Sequence, residues 1–290
     1  MPDSVSVYRV SALAEVEFWS VTGCVRPRTQ LSDLFSASLV LGLGTHEVGS
    51  VWLRGEPQTY RPGDLLLAEA EEIQRLTPGT GPSALFTIFW PKSALERAAA
   101  EIGLGGSPPW EVTHLAAGPL SSELAGLHDL FESQAGAAQI ERAYASVTRA
   151  LLLRASQSAV PATRRSPCHP GVRRAVKRVR ASFAESLSLD DLASELQMSK
   201  CHFARCFERS LGVPPHRYRR LLRLQAARRF LEAGHSVGDA ANETGFADAP
   251  HLTRAFRDWL GVSPAAWGSA WRASDPWSER APQTVRPPQL

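Results

Sequence analysis

One stretch of sequence occurs twice in the C-terminal half and decides the fold there. Residues 188–215 read SLDDLASELQMSKCHFARCFERSLGVPP, and residues 236–264 read SVGDAANETGFADAPHLTRAFRDWLGVSP. The opening segments align at an offset of 48 residues and the later segments at an offset of 49, so the one-residue difference falls where a turn can absorb it. A repeat of this length indicates two copies of one supersecondary unit.

Each copy predicts a helix, a tight turn and a second helix. Ser188 and Ser236, each followed three residues later by an aspartate, are typical of a capped helix start. Ser199 and Asp248 are of the residue types that cap the start of the second helix. Gly245 lies in the intervening turn, where a glycine can adopt the positive φ that a tight corner needs. This arrangement is helix-turn-helix geometry, whose second helix fits the major groove of DNA.

The outer face of each second helix is the predicted DNA-binding surface. Spacing of four residues turns Phe203 and Phe207 inward, and leaves small, polar and basic side chains outside. Arg205 and Arg254 occupy matching positions and are the candidates for base contacts, because arginine can bind guanine through two hydrogen bonds. The complete predicted set is Lys200, Cys201, His202, Ala204, Arg205, Ala249, Pro250, His251 and Arg254.

Two further helices complete the predicted unit. A connecting helix follows Pro214-Pro215 and ends at Gly234, and its length of about 28 Å suits two reading helices about one DNA turn apart. An amphipathic helix with Val172, Val176, Val179 and Phe183 on one stripe precedes the first copy. Its basic side chains, together with arginines of the connecting helix, are predicted to contact phosphates; the candidates are Arg173, Arg174 and Lys177.

Composition and charge agree with a nucleic-acid partner. The chain has 290 residues, of which 43% are hydrophobic and 21% charged, a length that suggests about two domains. Residues 1–160 carry 11 Lys/Arg and 17 Asp/Glu, a net −6, whereas residues 161–290 carry 21 and 12, a net +9. The basic half predicts a polyanionic partner. Four scattered cysteines and the absence of a signal peptide or a 20-residue apolar run favour a cytoplasmic protein without a membrane anchor.

The N-terminal half is predicted to be rich in short strands. Six apolar or alternating segments lie between Gly and Pro breakers, an arrangement that favours a small barrel or sandwich; they are residues 15–21, 38–43, 47–53, 64–68, 73–77 and 84–90. Helical stripes follow, one with Leu124, Leu127 and Phe131 and one with Ile140, Tyr144, Val147 and Leu151. These stripes either cover the strands or meet a second subunit.

The predicted fold class is α+β in two domains. Residues 1–158 form a small β-barrel or cupin-like sandwich with trailing helices, and residues 172–272 form an all-α domain with two helix-turn-helix units joined by a long helix. A Pro-rich linker, residues 159–171, separates them, and residues 273–290 are predicted to be a flexible tail.

The repeated stretch resembles the DNA-binding domain of AraC/XylS-type transcription regulators. The resemblance covers about residues 172–272 and lies in LSLDDLASELQMSKCHFARCFERSLGVPPHRYRRLLRL and ANETGFADAPHLTRAFRDWLGVSPAAW, with its Gly-Phe turn, His-x-x-Arg-x-Phe run and closing Gly-Val-Ser-Pro. Trp267-Gly268 departs from the Tyr-Arg that usually ends the family pattern. Residues 60–66 (YRPGDLL) resemble a strand of cupin-like sensing domains. The resemblance implies double-stranded DNA as partner, a small-molecule effector, a homodimer and contact with RNA polymerase.

Two alternatives belong to other classes. A cupin-type metal enzyme with an accessory basic domain would need paired histidines, but His46 alone lies near a suitable strand. Cys201 and Cys206 are five residues apart on a helix and so diverge by roughly 140°. We therefore predict no metal site, no catalytic residue and no cofactor. The other alternative is an architectural protein that binds DNA without sequence preference.

Overall fold

The computed structural model describes residues 4–8, 10, 13, 15–23, 28–31, 36–43, 49–53, 56–68, 73–78, 83–106, 114–157, 170–185, 188–273 and 283–285. Strands and helices are concentrated in different halves. The strands are β1 Ser4–Tyr8, β2 Glu17–Gly23, β3 Arg28–Leu31, β4 Ser36–Leu43, β5 Gly49–Leu53, β6 Glu56–Tyr60, β7 Leu65–Ala68, β8 Ile73–Pro78, β9 Ser83–Pro91, β10 His114–Leu115 and β11 Gln283–Val285. The helices are α1 Lys92–Glu101, α2 Pro119–Glu132, α3 Ala137–Gln157, α4 Pro170–Ala181, α5 Leu189–Glu195, α6 Lys200–Leu211, α7 Pro215–Glu232, α8 Val237–Glu243, α9 Ala249–Leu260 and α10 Pro264–Ala273.

The strands form two antiparallel sheets. The larger has the order β10-β7-β4-β9-β2-β1-β11, and the smaller has the order β3-β8-β5-β6. Each of the six predicted strand segments overlaps an observed strand. The sequence reasoning missed β1, β3, β6, β10 and β11. Of these, β6 carries Pro57 at the edge of the smaller sheet, where proline is tolerated.

Helices α1, α2 and α3 cover one face of the larger sheet. Phe18, Phe86 and Trp90 from the sheet are fully buried in one cluster with Leu124 and Leu127 of α2. Ile140, Val147 and Leu151 of α3 belong to the same cluster. The two helical stripes therefore face an intramolecular core, which decides between the two alternatives that the sequence left open for them.

The opposite face of the larger sheet has a smaller core. Val40, Val51, Tyr60 and Leu66 are buried together there. The hydroxyl group of Tyr60 donates a 2.6 Å hydrogen bond to the carbonyl oxygen of Val40, which satisfies its polar group inside the core. Mixed sheet and helix content of this kind confirms the α+β class, and all the described strands except β11 lie in the N-terminal half.

The C-terminal helices pack around α7. Its predicted inner stripe, Tyr218, Leu221, Leu224, Ala227 and Leu231, is buried. The 18 residues of α7 give a length of about 27 Å. Helices on both sides in the sequence contact it, so α7 is the central element of this region. We call residues 170–273 the C-terminal helical region and residues 4–157 the N-terminal sheet region.

Two observed elements lie within segments that the sequence predicts to be linker or tail. Helix α4 begins at Pro170 and so includes the last two residues of the predicted linker; residues 158–169 lie outside the described part of the chain. Within the predicted tail, Gln283–Val285 forms β11 and pairs antiparallel with β1, so these three residues are not a loose end. Among the described residues, no helix combines the length and the apolar character needed to cross a lipid bilayer.

Candidate nucleic-acid interface

The four predicted caps of the repeated helix pairs are observed. The hydroxyl oxygens of Ser188 and Ser236 accept hydrogen bonds from the backbone N–H groups of Asp190 and Asp239, both at 3.1 Å. Ser199 caps α6 in the same way, at 3.3 Å from the N–H of His202. At the start of α9 the Asp248 carboxylate lies 2.6 Å from the N–H of His251. Such caps satisfy backbone donors that a helix leaves unpaired, and so fix where each helix begins.

The turns between the paired helices have matching backbone conformations. Gly245 has φ = +78°, as its sequence position predicted, and Gln197 takes φ = +55° at the equivalent place in the first copy. Gly212 and Gly261 then end α6 and α9 in the left-handed conformation. The two copies therefore agree in their local geometry as well as in sequence.

The inward faces of α6 and α9 are fully buried where the repeat predicts it. Phe203 and Phe207 of α6 have no exposed surface, and neither do Leu252 and Phe256 of α9. All four belong to the cluster around α7. Cys206 is buried and Cys201 is exposed, as the helical rotation between them predicted.

The opposite faces of these helices are open to solvent. The exposed members of the predicted set are Lys200, Cys201, His202, Arg205, Pro250, His251 and Arg254, and Ala204 and Ala249 are partly exposed. Within the part of the chain that the structure describes, Arg205 and Arg254 form no ion pair or hydrogen bond through their guanidinium groups. Both side chains are therefore available to a ligand that approaches this face.

Three other members of the set have partners within the chain. The ammonium group of Lys200 lies 2.8 Å from the Asp190 carboxylate of α5, and this hydrogen bond raises the pKa of Lys200. His202 Nε2 lies 3.6 Å from the sulfur of Cys206. The ring of His251 packs edge-on against Phe246 at 5.2 Å between centroids. These contacts restrict the orientations of the Lys200, His202 and His251 side chains on the exposed face.

Helix α4 has the predicted amphipathic arrangement. Val172, Ala175 and Val179 are buried. The predicted phosphate-binding side chains Arg173, Arg174 and Lys177 are all exposed on the opposite side. At the end of the helix, Arg180 has an intramolecular partner. Its Nε donates a 2.7 Å hydrogen bond to the hydroxyl group of Tyr218.

The arginines of α7 do not all face outward, which corrects the expectation that they contact phosphates as a group. The guanidinium group of Arg223 donates to four backbone carbonyls: Phe183 at 2.7 Å, Ala184 at 3.2 Å, Glu185 at 3.1 Å and Gly245 at 2.5 Å. It therefore ties the segment after α4 to the turn between α8 and α9. The sequence gives no signal for this role, since the partners are distant carbonyl groups that any residue type supplies.

Arg228 is the second exception on α7. Its side chain is only 6% exposed and contacts Glu17 of β2, with Nη1 and Oε2 2.9 Å apart. A buried arginine that is paired in this way is not available to a phosphate.

The N-terminal sheet region contains an open recess of about 600 Å³ between α1, α3 and the residues Leu13, Glu15 and Val16. Its walls include the apolar side chains of Leu13, Val16 and Ile102. Tyr144 and Thr148 add hydroxyl groups, and Arg97, Arg149, Glu15 and Glu101 add charges. Burial raises the pKa of the Tyr144 hydroxyl group. Among the described residues no group of three or more His, Cys, Asp or Glu side chains is placed to hold a metal ion.

Comparisons with known proteins agree with this geometry. Residues 192–270 match the family described as "Helix-turn-helix domain". The chain is 28% identical over 214 residues to the HTH-type transcriptional regulator YbfI of Bacillus subtilis, a match that covers 72% of this chain and 78% of YbfI. It is 31% identical over 96 residues to the HTH-type transcriptional regulator GbdR of Pseudomonas aeruginosa, a match that covers 33% of this chain but only 26% of GbdR.

A solved structure extends the likeness to most of the fold. The crystal structure of apo ToxT from Vibrio cholerae superimposes with a TM-score of 0.50 at 11% identity, and covers 87% of this chain and 97% of ToxT. The C-terminal helical region is thus a DNA-binding domain of the helix-turn-helix class. In its sequence signature and in its relatives, the chain is similar to DNA-binding transcription regulators of the AraC/XylS type.

Proposed function

We propose that this regulator binds a specific double-stranded DNA site with two helix-turn-helix units, α5–α6 and α8–α9, which α7 joins. Helices α6 and α9 would lie in successive major-groove segments. The observation that carries the proposal is the pair of matched arginines, Arg205 and Arg254, exposed at equivalent positions of the two helices. Two equivalent reading helices on one chain predict two half-sites about one helical turn apart.

The residues of this face divide into two roles. Arg205 and Arg254 contact base edges, with guanine as the preferred partner because its O6 and N7 accept both hydrogen bonds of an arginine. The rest of the set lines the groove or contacts the backbone; it consists of Lys200, Cys201, His202, Ala204, Ala249, Pro250 and His251. In this proposal the Lys200 ammonium group leaves its exposed ion pair with Asp190 and binds a phosphate instead.

Arg173, Arg174 and Lys177 of α4 supply further phosphate contacts in this proposal. Their exposure on one helix, opposite its buried stripe, supports the role. Such contacts position a protein on the duplex without reading its sequence.

The N-terminal sheet region is proposed to sense a small molecule and to form a homodimer, with a cupin-like arrangement of its sheets. The domain limits of this proposal are 1–158, 159–171, 172–272 and 273–290. The recess of about 600 Å³ is within the size range of small-molecule sites and combines apolar walls with a few polar groups. Contact with RNA polymerase and a cytoplasmic location belong to the same proposal. We propose no catalytic role, because the matched relatives are transcription regulators.

The DNA site itself can be identified by selection. Purified protein is mixed with duplexes that contain a randomised segment, and the bound fraction is sequenced over several rounds. We expect enrichment of two short motifs with a fixed separation. Random sequence in the bound fraction would instead favour an architectural protein that binds DNA without sequence preference.

Arg205→Ala and Arg254→Ala are each expected to weaken binding to the selected site by about 1–3 kcal/mol, roughly 5- to 150-fold, because each removes contacts to a base edge. Affinity for random DNA should change little. Fluorescence anisotropy titrations with both duplexes measure the two effects, and Arg142→Ala on α3 serves as the matched control. Equal losses on both duplexes would show that the arginine contacts phosphate alone.

Lys177→Ala is expected to lower affinity for the selected site and for random DNA by the same factor. It should also reduce the slope of log affinity against log salt concentration by about 1, because one fewer phosphate is neutralised. Titrations at several salt concentrations measure the slope. Lys92→Ala on α1 removes the same charge far from the proposed surface, so an unchanged slope in both variants contradicts the assignment.

A further inference from the structure

The N-terminal sheet region contacts the connecting helix through one charged and aromatic cluster. We call it the Glu17 cluster; it consists of Glu17 and Trp19 of β2, Arg228 and Glu232 of α7, and Trp267 of α10. Arg228 donates to both oxygens of Glu17, at 2.9 and 3.4 Å. The two residues are 211 positions apart in the sequence, so this ion pair joins the two regions of the chain.

Aromatic rings enclose the ion pair. The guanidinium carbon of Arg228 lies 5.2 Å from the ring centroid of Trp19, within cation–π range. The Trp19 indole N–H donates to Glu17 at 3.1 Å, and the ring packs edge-on against Trp267 at 5.1 Å. Trp19 is 5% exposed and Trp267 is 1% exposed. Water is therefore largely excluded, which strengthens the attraction between the charges.

The cluster also extends along α7. Glu232, one turn after Arg228, lies 3.4 Å from the Arg228 guanidinium group and accepts a 3.1 Å hydrogen bond from the indole N–H of Trp267. Glu17 and Glu232 thus hold Arg228 from two sides. Movement of β2 relative to α7 would take the Glu17 carboxylate away from the buried Arg228 side chain, which would keep Glu232 as its partner on α7.

A second contact lies at the end of α6. The Trp52 ring of β5 lies so close to Gly212 that a Cβ atom added there would be 1.9 Å from the ring. The N-terminal sheet region therefore contacts both α7 and the C-terminal end of one proposed recognition helix. Arg205 and Arg254 remain exposed in the whole chain, so these contacts lie away from the proposed DNA-binding face.

We infer that the Glu17 cluster couples the N-terminal sheet region to the two recognition helices by holding α7 in one position. The cluster preorganises α6 and α9 for DNA. A ligand that shifts β2 would alter the cluster and, through α7, the relative position of the two helices. This inference rests on the proposed function for its DNA consequence, but the contact between the regions can be tested without DNA.

The test compares two glutamates of the N-terminal sheet region. Glu17→Gln removes the charge that faces Arg228, whereas Glu96→Gln removes the charge of an exposed ion pair with Lys92 inside the N-terminal sheet region. In Glu17→Gln we expect at least tenfold faster amide hydrogen exchange in both β2 and α7, with no such change in Glu96→Gln. Unchanged exchange in α7 overturns the inference.

The DNA readout uses the same full-length variants. Glu17→Gln is expected to bind the selected site about tenfold more weakly than Glu96→Gln, because α6 and α9 are then no longer held in place and must be ordered when DNA binds. Equal or tighter binding overturns the preorganising role. If the parent chain selects no DNA sequence, the proposed function fails, while the exchange experiment still decides whether the contact exists.

Arg228→Lys keeps the test decisive if Glu17→Gln does not fold. A lysine keeps the positive charge but cannot donate in a fork to both oxygens of Glu17. We expect faster exchange in β2 and α7 than in the parent chain. Exchange at the parent rate in both elements overturns the inference.

Discussion

Gly245→Ala lowers the stability of the C-terminal helical region by about 3 kcal/mol, from two separate causes. Gly245 has φ = +78°, a conformation that costs an L-residue about 1–2 kcal/mol. An added Cβ would also lie 2.2 Å from the carbonyl oxygen of Ala184, a backbone atom that cannot move aside without shifting the segment after α4. Overpacking of this kind costs about 1–3 kcal/mol.

Thermal unfolding followed by circular dichroism measures the loss, and Gly234→Ala is the matched control. Gly234 also has a positive φ, +91°, but an added Cβ would meet nothing within 4 Å. The control variant therefore carries the conformational cost alone, about 1–2 kcal/mol. Equal destabilisation of the two variants would show that the approach of Ala184 has no energetic consequence.

Arg223→Ala is the second substitution with a large expected effect, again about 3 kcal/mol of unfolding free energy. Four carbonyl groups lose a charged donor, two of them at 2.7 Å or less. Hydrogen bonds to charged groups contribute about 1.5–3 kcal/mol each, but the four share one side chain, so their contributions do not add. The turn between α8 and α9 loses its link to the segment after α4.

Chemical denaturation gives the free energies, and two variants make the comparison specific. Arg223→Lys keeps a charged donor and should recover part of the loss, although lysine cannot reproduce the arginine fork. Arg220→Ala removes a neighbouring arginine whose exposed ion pair with Asp258 has a 3.3 Å separation, and should cost less than about 1 kcal/mol. If Arg223→Ala costs no more than Arg220→Ala, the four hydrogen bonds do not stabilise the fold.

Local features of the C-terminal helical region could be predicted from the sequence because their causes are local. The caps Ser199 and Asp248, the positive φ of Gly245 and the buried faces of α6 and α9 follow from residue type and helical spacing. The exposure of Arg205 and Arg254 follows from the same spacing. How these residues contact DNA stays a prediction.

The roles of Arg223 and Arg228 could not be predicted, because their partners are distant in sequence. Helix α7 carries several arginines, and helical spacing does not tell which of them finds a carbonyl group or a carboxylate. Glu17 is 211 residues from Arg228, and the carbonyl group of Phe183 is 40 residues from Arg223. Tertiary packing determines which arginine of α7 contacts which partner.

For the strands of the N-terminal sheet region too, the sequence predicts local features but not the contacts between distant segments. Apolar alternation and turn residues located six strands, but pairing order depends on contacts across the sheet. Strand β4 lies between β7 and β9, neither of which is its neighbour in sequence. Polar edge strands such as β6 carry too weak an apolar pattern to be located.

The two turn residues give the repeat an evolutionary asymmetry. Gln197 has an exposed side chain at φ = +55°, so the first turn already accommodates a Cβ atom, whereas the second is closed to one by Ala184. Position 197, in the turn between α5 and α6, can therefore accept other residue types, whereas position 245, in the turn between α8 and α9, requires glycine. The corner before α6 therefore tolerates a wider range of residue types than the corner before α9.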